Sequence, residues 1–491
     1  MSFKLSDFLA ELPAELIKGK MNYADCILSD ITSNSQKVVR DSIFIAVNGA
    51  NVDGADFICE AIQKGAKVIL TERNLDGWGA KYPEIVFIQI ENSRLINSLS
   101  CEFLCGKNFW EQLTLLGVTG TNGKTTTVYL LYQIFEQLNK KSGLISTIKY
   151  FDGKTSSAST HTTPPAEKLF SLLSACSSNL CEYVPMEISS HSLAQCRLGS
   201  LKFRIGMFTN LSGEHLDFHH DMENYYQIKK SFFVKHVEIA VVNIDNEYGA
   251  RLAEELKNET AIKVVTFGIS KSADYQIKII PSSKKTEFTL NDIEFCSNLL
   301  GEYNIYNLTT VIVSLMQLGF APEVLKNVIK NSELTIPGRL ELITLKKDVR
   351  VFIDYAHTDD ALKNVLSNLK KLPHKKIIVV FGCGGNRDKF KRPRMGEIAS
   401  TLADWVIITT DNPRFEEPMA IIDDIKSAIQ DRLNYEIIEN RADAIKKALA
   451  ISENGDIVII AGKGHENYQE INGERCYFSD SEEVRKFEMG K

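Results

Sequence analysis

The sequence predicts an α/β protein of three domains, with a central parallel-sheet domain between a small N-terminal α/β domain and a doubly wound C-terminal one. Three observations predict this. The chain has 491 residues, and at about 150 residues per domain that length divides into roughly three. Short apolar runs of strand length alternate with helical patterns along the chain, the pattern of parallel strands joined by helical crossovers. An apolar run, a glycine-rich turn and a helical pattern also follow one another directly between residues 113 and 135.

Residues 1–108 make the first domain. Strand signals at 42–47 and 67–71 flank a helical pattern at 55–64.

The central domain, 109–335, is organised by the stretch Gly117-Val-Thr-Gly120-Thr121-Asn122-Gly123-Lys124-Thr125-Thr126. The run 113–118 reads as a buried strand and 128–135 as a helix. Strand, glycine loop and helix N-terminus together cradle a phosphate: backbone N–H groups and the helix dipole face the anion, Lys124 adds a point charge, and the Thr125 hydroxyl can hold Mg²⁺. The spacing departs from GxxxxGK[ST], since Val118 stands where the first glycine belongs. Further strand signals lie at 143–148, 183–188, 205–210 and 238–243. Glu187 ends one of them, where a carboxylate either holds Mg²⁺ or caps the next segment. Glu214, His215, Asp217 and His219 fall within six residues, dense enough for a metal cluster, with a structural loop as the alternative. Lys229, alone on a helical pattern, reads as a solvated side chain.

Pro337-Gly338 breaks the helical pattern of 323–332 and opens the third domain, 336–491. Strand signals at 350–354, 376–381, 405–409, 435–438 and 456–461 alternate with helical ones at 359–370, 392–402, 418–431 and 441–452. In such sheets the chemistry sits at the carboxyl ends of the strands. Those ends carry Asp354-Tyr-Ala-His357, Gly382-Cys-Gly-Gly-Asn-Arg387, Asp411-Asn412-Pro-Arg414 and Gly462-Lys-Gly-His-Glu466. Arg387 and Arg414 present planar forks suited to a carboxylate, so an anionic or zwitterionic ligand is expected. Surface ion pairs, worth about 0–1 kcal/mol, are the alternative. His465 and Glu466 could meet an amine.

Composition narrows the function classes. The chain is 44% hydrophobic and 24% charged, as globular proteins are. A net charge of −6 argues against a general nucleic-acid surface. No apolar run reaches the ~18 residues that cross a bilayer, and residues 1–7 lack the apolar core of a signal peptide, so a cytoplasmic location is expected. The ten cysteines are scattered without a CxxC pair; reduced thiols are expected, with neither disulfides nor a zinc site.

These residues together resemble the Mur ligase family, ATP-dependent amide-bond-forming enzymes of bacterial cell-wall synthesis. The likeness covers nearly the whole chain. It rests on Gly120 to Thr126, Met186-Glu-Ile-Ser-Ser-His191, Thr209-Asn-Leu with His215-Leu-Asp-Phe-His219, Asn304-Ile-Tyr-Asn307, Pro337-Gly-Arg339-Leu-Glu and Asp354-Tyr-Ala-His357. The resemblance implies an ADP-forming acid–amino-acid ligase with an ATPase central domain and a Rossmann-like C-terminal domain. It further implies catalytic roles for Lys124, Glu187, His215 and a carbamylated Lys229, with Thr125, Glu187, His215 and Lys229 at Mg²⁺. ATP would meet Gly120, Thr121, Asn122, Gly123, Lys124, Thr125 and Thr126, together with Asn304, Arg339, Asp354 and His357.

The run Asp411 to Arg414 resembles the signature of the member that adds meso-2,6-diaminopimelate to UDP-N-acetylmuramoyl-L-alanyl-D-glutamate. Ser35, Thr162, Thr163, Ser189, Gln195 and Arg197 would then contact the UDP-muramoyl dipeptide. Arg387, Asp411, Asn412, Arg414, Gly462 and Glu466 would contact diaminopimelate. The family often has Asp-Ser-Arg where Asn34-Ser35-Gln36 stands, which removes one arginine contact. The distal carboxylate of diaminopimelate suits Arg414 and its distal ammonium suits Glu466. L-Lysine would leave Arg414 unpaired, at a cost of roughly several kcal/mol in a dry site. A lysine-adding member, a folylpolyglutamate synthase-like ligase and a phosphate-loop switch are the competing readings. A monomer without nucleic-acid or membrane partners is expected.

Overall fold

A computed structural model describes the chain except residues 1, 50–51, 107–108, 214–215, 283–284, 346–347, 430–433 and 491, and the side chains of 216, 217 and 434. The chain divides into two compact units, Met1–Phe267 and Gly268–Lys491.

The first unit opens on a five-stranded sheet in the order Ile17–Met21, Val86–Ile90, Ala66–Thr71, Ser42–Ala46, Ile31–Thr32. Every residue of Ser42–Ala46 is buried, as expected of a strand covered on both faces. Ile43, Ile45, Val68, Leu70 and Ile88 point to one core with Phe8 and Ile96. Phe44, Ile69 and Phe87 point to the other with Ile58 and Ala61. The period-2 alternation therefore serves two layers rather than one. Ile17–Met21 runs antiparallel to Val86–Ile90, an edge the sequence reading did not anticipate.

The second sheet of this unit places Thr114–Thr119 centrally, with Tyr183–Glu187 on one side and Phe203–Phe208, Val237–Asn243 and Lys263–Gly268 on the other, all parallel. The expected strand at 143–148 is only Leu144–Ile145. The Ser146 amide turns back to bond the Lys149 carbonyl, so the chain reverses there. Lys149–Phe151 and Ser156–Ala158 follow as antiparallel strands.

The second unit starts with an antiparallel meander, Tyr275–Ile280, Thr286–Leu290 and Ile293–Ser297, and helices Glu302–Gln317 and Pro322–Asn331. Its six-stranded sheet has the order Glu341–Thr344, Arg350–Asp354, Ile457–Ala461, Ile377–Phe381, Trp405–Ile408, Asn434–Ile437. Only Glu341–Thr344 is antiparallel. Phe352, Val379, Phe381 and Ile459 pack under helices Asp359–Lys370, Lys391–Leu402 and Pro418–Lys426. Val351, Ile378, Val380 and Val458 face the other way, toward Arg441–Ile451 and Asp480–Glu488. Helices on both faces make the sheet doubly wound, as the sequence predicts.

Pro337-Gly338 enters this sheet through a tight contact. A Cβ on Gly338 would stand 2.1 Å from the His465 nitrogen and 2.3 Å from the Gly464 carbonyl carbon, at φ +65°. Glycine is required there by both space and backbone conformation.

Candidate active-site clusters

The glycine loop leaves strand Thr114–Thr119 and enters helix Lys124–Gln137. Gly120 and Gly123 take φ of +146° and +88°. A side chain at Gly120 would collide with Thr209 Oγ1 at 2.0 Å, so the loop packs directly on the segment following strand Phe203–Phe208. That segment fastens it. The Thr121 amide donates to the Asn210 carbonyl (2.8 Å) and the Asn122 amide to Asn210 Oδ1 (3.0 Å). Thr209 Oγ1 donates to the Asn122 carbonyl (2.6 Å). Lys124 Nζ folds back on the carbonyls of Gly120 (2.9 Å) and Thr121 (2.6 Å). Thr126 is buried on the first turn of the helix.

Lys229 corrects the solvated-helix reading. It is 1% exposed, with Nζ donating to the Gly120 carbonyl at 2.9 Å and to Thr119 Oγ1 at 3.4 Å, and lying 4.7 Å from the Tyr225 ring centre. Helix Met222–His236 turns this one basic residue inward against the loop.

Glu187, fully buried, ends the neighbouring strand. One carboxylate oxygen accepts from Thr125 Oγ1 (2.9 Å). The other accepts from the Thr147 amide (2.7 Å) and hydroxyl (3.1 Å). Hydroxyl and carboxylate oxygens beside a phosphate loop are a donor set that suits Mg²⁺. His219 is buried, with Nε2 against Ser190 Oγ at 2.8 Å and its ring stacked on Tyr225 at 4.7 Å. Glu214 and His215, and the side chain of Asp217, lie outside the described residues.

A chain of contacts runs from Glu187 to the residues expected for the dipeptide. Thr163 Oγ1 donates to the Glu187 carbonyl (2.7 Å) and accepts from the Ser189 amide (3.0 Å). Thr162 Oγ1 lies 3.3 Å from Thr147 Oγ1, a hydroxyl–hydroxyl contact in which Thr147, already donating to Glu187, accepts. Arg197 donates to the Thr163 carbonyl and, through Nε and Nη2, to Gln195 Oε1. Burial lowers the guanidinium pKa of Arg197. Burial, and then the charge of Arg197, also lowers the pKa of His161. Gln195 and Arg197 line a recess of about 210 Å³ with Arg94, Asn97 and Glu167. The last three carry no sequence motif and were missed. Ser35 is not drawn into this chain: its hydroxyl donates to Glu60 Oε2 (3.0 Å).

In the second unit Tyr355 is the meeting point. The Arg339 guanidinium lies over its ring at 4.5 Å, and the rings of His357 and His465 approach at 4.7 and 5.3 Å. Its hydroxyl donates to Glu466 Oε1 (3.4 Å). Asp354 accepts from the amides of Leu340 (2.7 Å) and Ala356 (2.8 Å). Burial raises its pKa, against the opposing effect of Arg339 and the two amides. Asn304 stands one helix away, bonding the Leu300 carbonyl and Asn307.

The strand-end loops 411–414 and 462–466 interlock. Asn412 Nδ2 donates to Glu466 Oε2 (3.0 Å). Lys463, fully buried, donates to Asn412 Oδ1 (3.1 Å) and Glu466 Oε2 (3.3 Å) and lies 3.7 Å from Asp411 Oδ1. A side chain on Gly462 would meet Asp411 Oδ2 at 2.7 Å. Hairpin Tyr468–Ile471 and Glu474–Tyr477 clamps the same loop. The Arg414 amide donates to the Glu470 carbonyl, the Asn472 amide to the Arg414 carbonyl, and the Glu470 amide to Asn412 Oδ1. Arg414 Nη1 donates to the Gly385 carbonyl (2.7 Å), and Nε lies 3.5 Å from Glu470 Oε2. Arg414 is thus paired without any ligand, contrary to the expectation that lysine would leave it an unpaired charge. Arg387 is exposed at the neighbouring loop. Underneath, buried Arg441 holds Asp480 through two bonds and donates to the Ala461 and Thr410 carbonyls, the residues preceding Gly462 and Asp411. Tyr355, Lys463, Glu470 and Arg441 were not singled out from sequence.

Comparison with known proteins finds likeness along nearly the whole chain. Models described as "Mur ligase family, catalytic domain", "Mur ligase middle domain" and "Mur ligase, glutamate ligase domain" match residues 28–89, 118–315 and 338–464. A UDP-N-acetylmuramoyl-L-alanyl-D-glutamate–2,6-diaminopimelate ligase of Clostridium perfringens is 38% identical, covering 99% of this chain and 100% of its own. The protein of the same name from Parabacteroides distasonis is 38% identical, covering 98% of each. A solved structure of a ligase of that name aligns with TM-score 0.68 and 31% identity, over 94% of this chain and 95% of its own. MurF ligase from Thermotoga maritima, solved in complex with ADP, shares the fold at TM-score 0.58 and 19% identity, over 94% of this chain and 97% of its own.

Proposed function

This chain belongs to the Mur ligase family, and from that premise we propose that it joins meso-2,6-diaminopimelate to UDP-N-acetylmuramoyl-L-alanyl-D-glutamate using ATP. The charges of Asp411, Arg414, Lys463 and Glu466, interlocked through the Asn412 amide, carry the choice of amino acid. They offer both signs at the carboxyl ends of one sheet, as a zwitterion with a second amino-acid centre requires.

The D-glutamyl γ-carboxylate attacks the γ-phosphorus of ATP, ADP leaves, and an acyl phosphate forms. The amine then attacks the acyl carbon through a tetrahedral intermediate; phosphate leaves and the nitrogen sheds a proton. Loop amides and Lys124 bind the phosphates and stabilise the transferring group. Thr125 and Glu187 would hold Mg²⁺, which supplies charge neutralisation at the phosphates. His215 and a carbamylated Lys229 belong to the same reading, the carbamate placing an anion where an ammonium now stands. Asn304, Arg339, Asp354 and His357 serve the nucleotide. Ser35, Thr162, Thr163, Ser189, Gln195 and Arg197 serve the dipeptide, and Arg387 and Gly462 the diaminopimelate. Domain boundaries near 108 and 335 complete the picture. No described helix is long and apolar enough to cross a membrane.

ADP release measured with the UDP-muramoyl dipeptide and either meso-diaminopimelate or L-lysine tests this. Strong preference for diaminopimelate is expected; equal rates overturn it, and ATP hydrolysis indifferent to the dipeptide points to a phosphate-loop switch instead.

A further inference from the structure

The fork of Arg414 is already partly answered within the chain. Its Nη1 is held by the Gly385 carbonyl at 2.7 Å. Its Nε faces Glu470 Oε2 at 3.5 Å, with the two side chains 20% and 21% exposed. Among the described residues its Nη2 makes no hydrogen bond. A carboxylate that closes a two-bond fork on arginine sits at about 2.7–2.9 Å from two nitrogens. Glu470 stands farther off, 3.5 Å at its nearest approach and without a hydrogen bond to the guanidinium, so it offsets the charge of Arg414 without closing the fork.

Glu470 reaches this position through backbone bonds that do not need its side chain. Its amide donates to Asn412 Oδ1 at 3.0 Å, and its carbonyl accepts from the Arg414 amide at 2.9 Å. The hairpin therefore delivers a carboxylate to the edge of the amino-acid pocket as a consequence of its register.

We propose that Glu470 is a specificity-determining residue: its carboxylate stands in for the distal carboxylate of the amino-acid substrate at Arg414 and must yield the Nε–Nη2 side of the guanidinium when that substrate binds. The inference rests on the diaminopimelate reading above. An incoming carboxylate gains two charge-assisted bonds and loses one loose ion pair, so Glu470 weakens binding of ligands that carry the second carboxylate. It does nothing comparable for L-lysine, which has no group to place there. Glu470 also spares Arg414 from standing uncompensated when lysine binds, and both effects narrow the discrimination between the two amino acids.

The test measures kcat and KM for meso-diaminopimelate, L-lysine and ATP in the full-length enzyme and in Glu470→Gln. Glu470→Ala serves as a second variant that removes the charge with a different shape. Both variants are expected to lower KM for meso-diaminopimelate by about fivefold, the upper end for a partly exposed pair, leaving kcat and the KM for ATP unchanged. KM for L-lysine does not fall, so selectivity for diaminopimelate rises by the same factor. An unchanged KM for diaminopimelate in both variants overturns the proposal. A raised KM also overturns it, because it identifies Glu470 as a ligand of the substrate ammonium. A wild-type enzyme that releases ADP equally with L-lysine removes the diaminopimelate reading and this inference together, and the unmodified enzyme alone reveals it.

Discussion

Lys229 Nζ donates to the Gly120 carbonyl at 2.9 Å across 109 residues of chain. Lys124 Nζ donates to the same carbonyl, also at 2.9 Å. Two lysines on one carbonyl oxygen is a dense placement of positive charge where a polyphosphate would arrive. The two differ in setting: Lys124 begins a helix, whereas Lys229 is enclosed within one.

Lys124→Met should abolish most turnover without unfolding the protein. Loss of a preorganised transition-state contact costs about 10²–10³ in kcat. Steady-state ADP release beside thermal unfolding separates the two effects, and activity within tenfold of wild type would refute the assignment.

A carbamate on Lys229 adds one CO₂ and is lost on acidification. Native mass spectrometry at neutral pH, repeated after acid treatment, reads this directly. Lys229→Ala should be inactive and partly rescued by short carboxylic acids that fill the vacated anion position. Neither mass change nor rescue would leave Lys229 as a structural clasp on Gly120.

Gly338→Ala should destabilise the second unit and disturb the amino-acid side together. The new Cβ would meet backbone at 2.1–2.3 Å and sit at φ +65°, so the loop 462–466 must shift. A loss of about 1–3 kcal/mol is expected from overpacking and strain. Chemical denaturation and the KM for diaminopimelate check both consequences.

Removing one partner of the Arg441–Asp480 pair leaves a buried charge. Arg441→Met and Asp480→Asn should each cost about 3–5 kcal/mol, and the double variant less than their sum. Additive losses in a double-mutant cycle would show that the pair is not coupled.

Acid sensitivity should concentrate at Glu416. The Arg392 hydrogen bonds, helped by the Asn386 amide and Lys389, hold its carboxyl down at about 2 from an ordinary 4.5. A depressed carboxyl stabilises the fold above its unfolded value and loses that contribution as pH falls toward the folded one. The stability gap between wild type and Glu416→Gln should therefore be full above pH 4.5 and close toward pH 2. A gap independent of pH would contradict it.

Much of the fold was legible because parallel strands buried on both faces must be apolar throughout: Ile377–Phe381 and Ile457–Ala461 have no exposed position. The antiparallel meander was not, since Tyr275–Ile280 is largely half-buried or exposed and carries a polar alternation that also suits a loop. The candidate site was readable where a motif is contiguous, as at Gly120 to Thr126. It was opaque where chemistry is assembled from isolated residues. On its own pattern Lys229 looks like any helical lysine; the family resemblance alone marks it, and its helix then turns it inward. Tyr355 lies inside the Asp354–His357 motif, but no local pattern shows that its ring gathers Arg339, His357 and His465, and its hydroxyl Glu466, from three segments. Glu470 lies in a hairpin whose register alone brings it to Arg414.

That hairpin has an evolutionary consequence. Its grip on the 411–414 loop runs largely through main-chain groups, which any amino acid supplies, with Gln469 adding a side-chain bond to the Asp411 carbonyl. Its tip, Asn472-Gly473, takes left-handed backbone at +51° and +82°, a tight reversal that keeps the ribbon in register whatever its flanks carry. Side chains along it can drift while the pocket frame persists. Lineages could retune which amino acid enters their peptide by exchanging a ribbon of about ten residues, leaving the phosphate-handling machinery untouched.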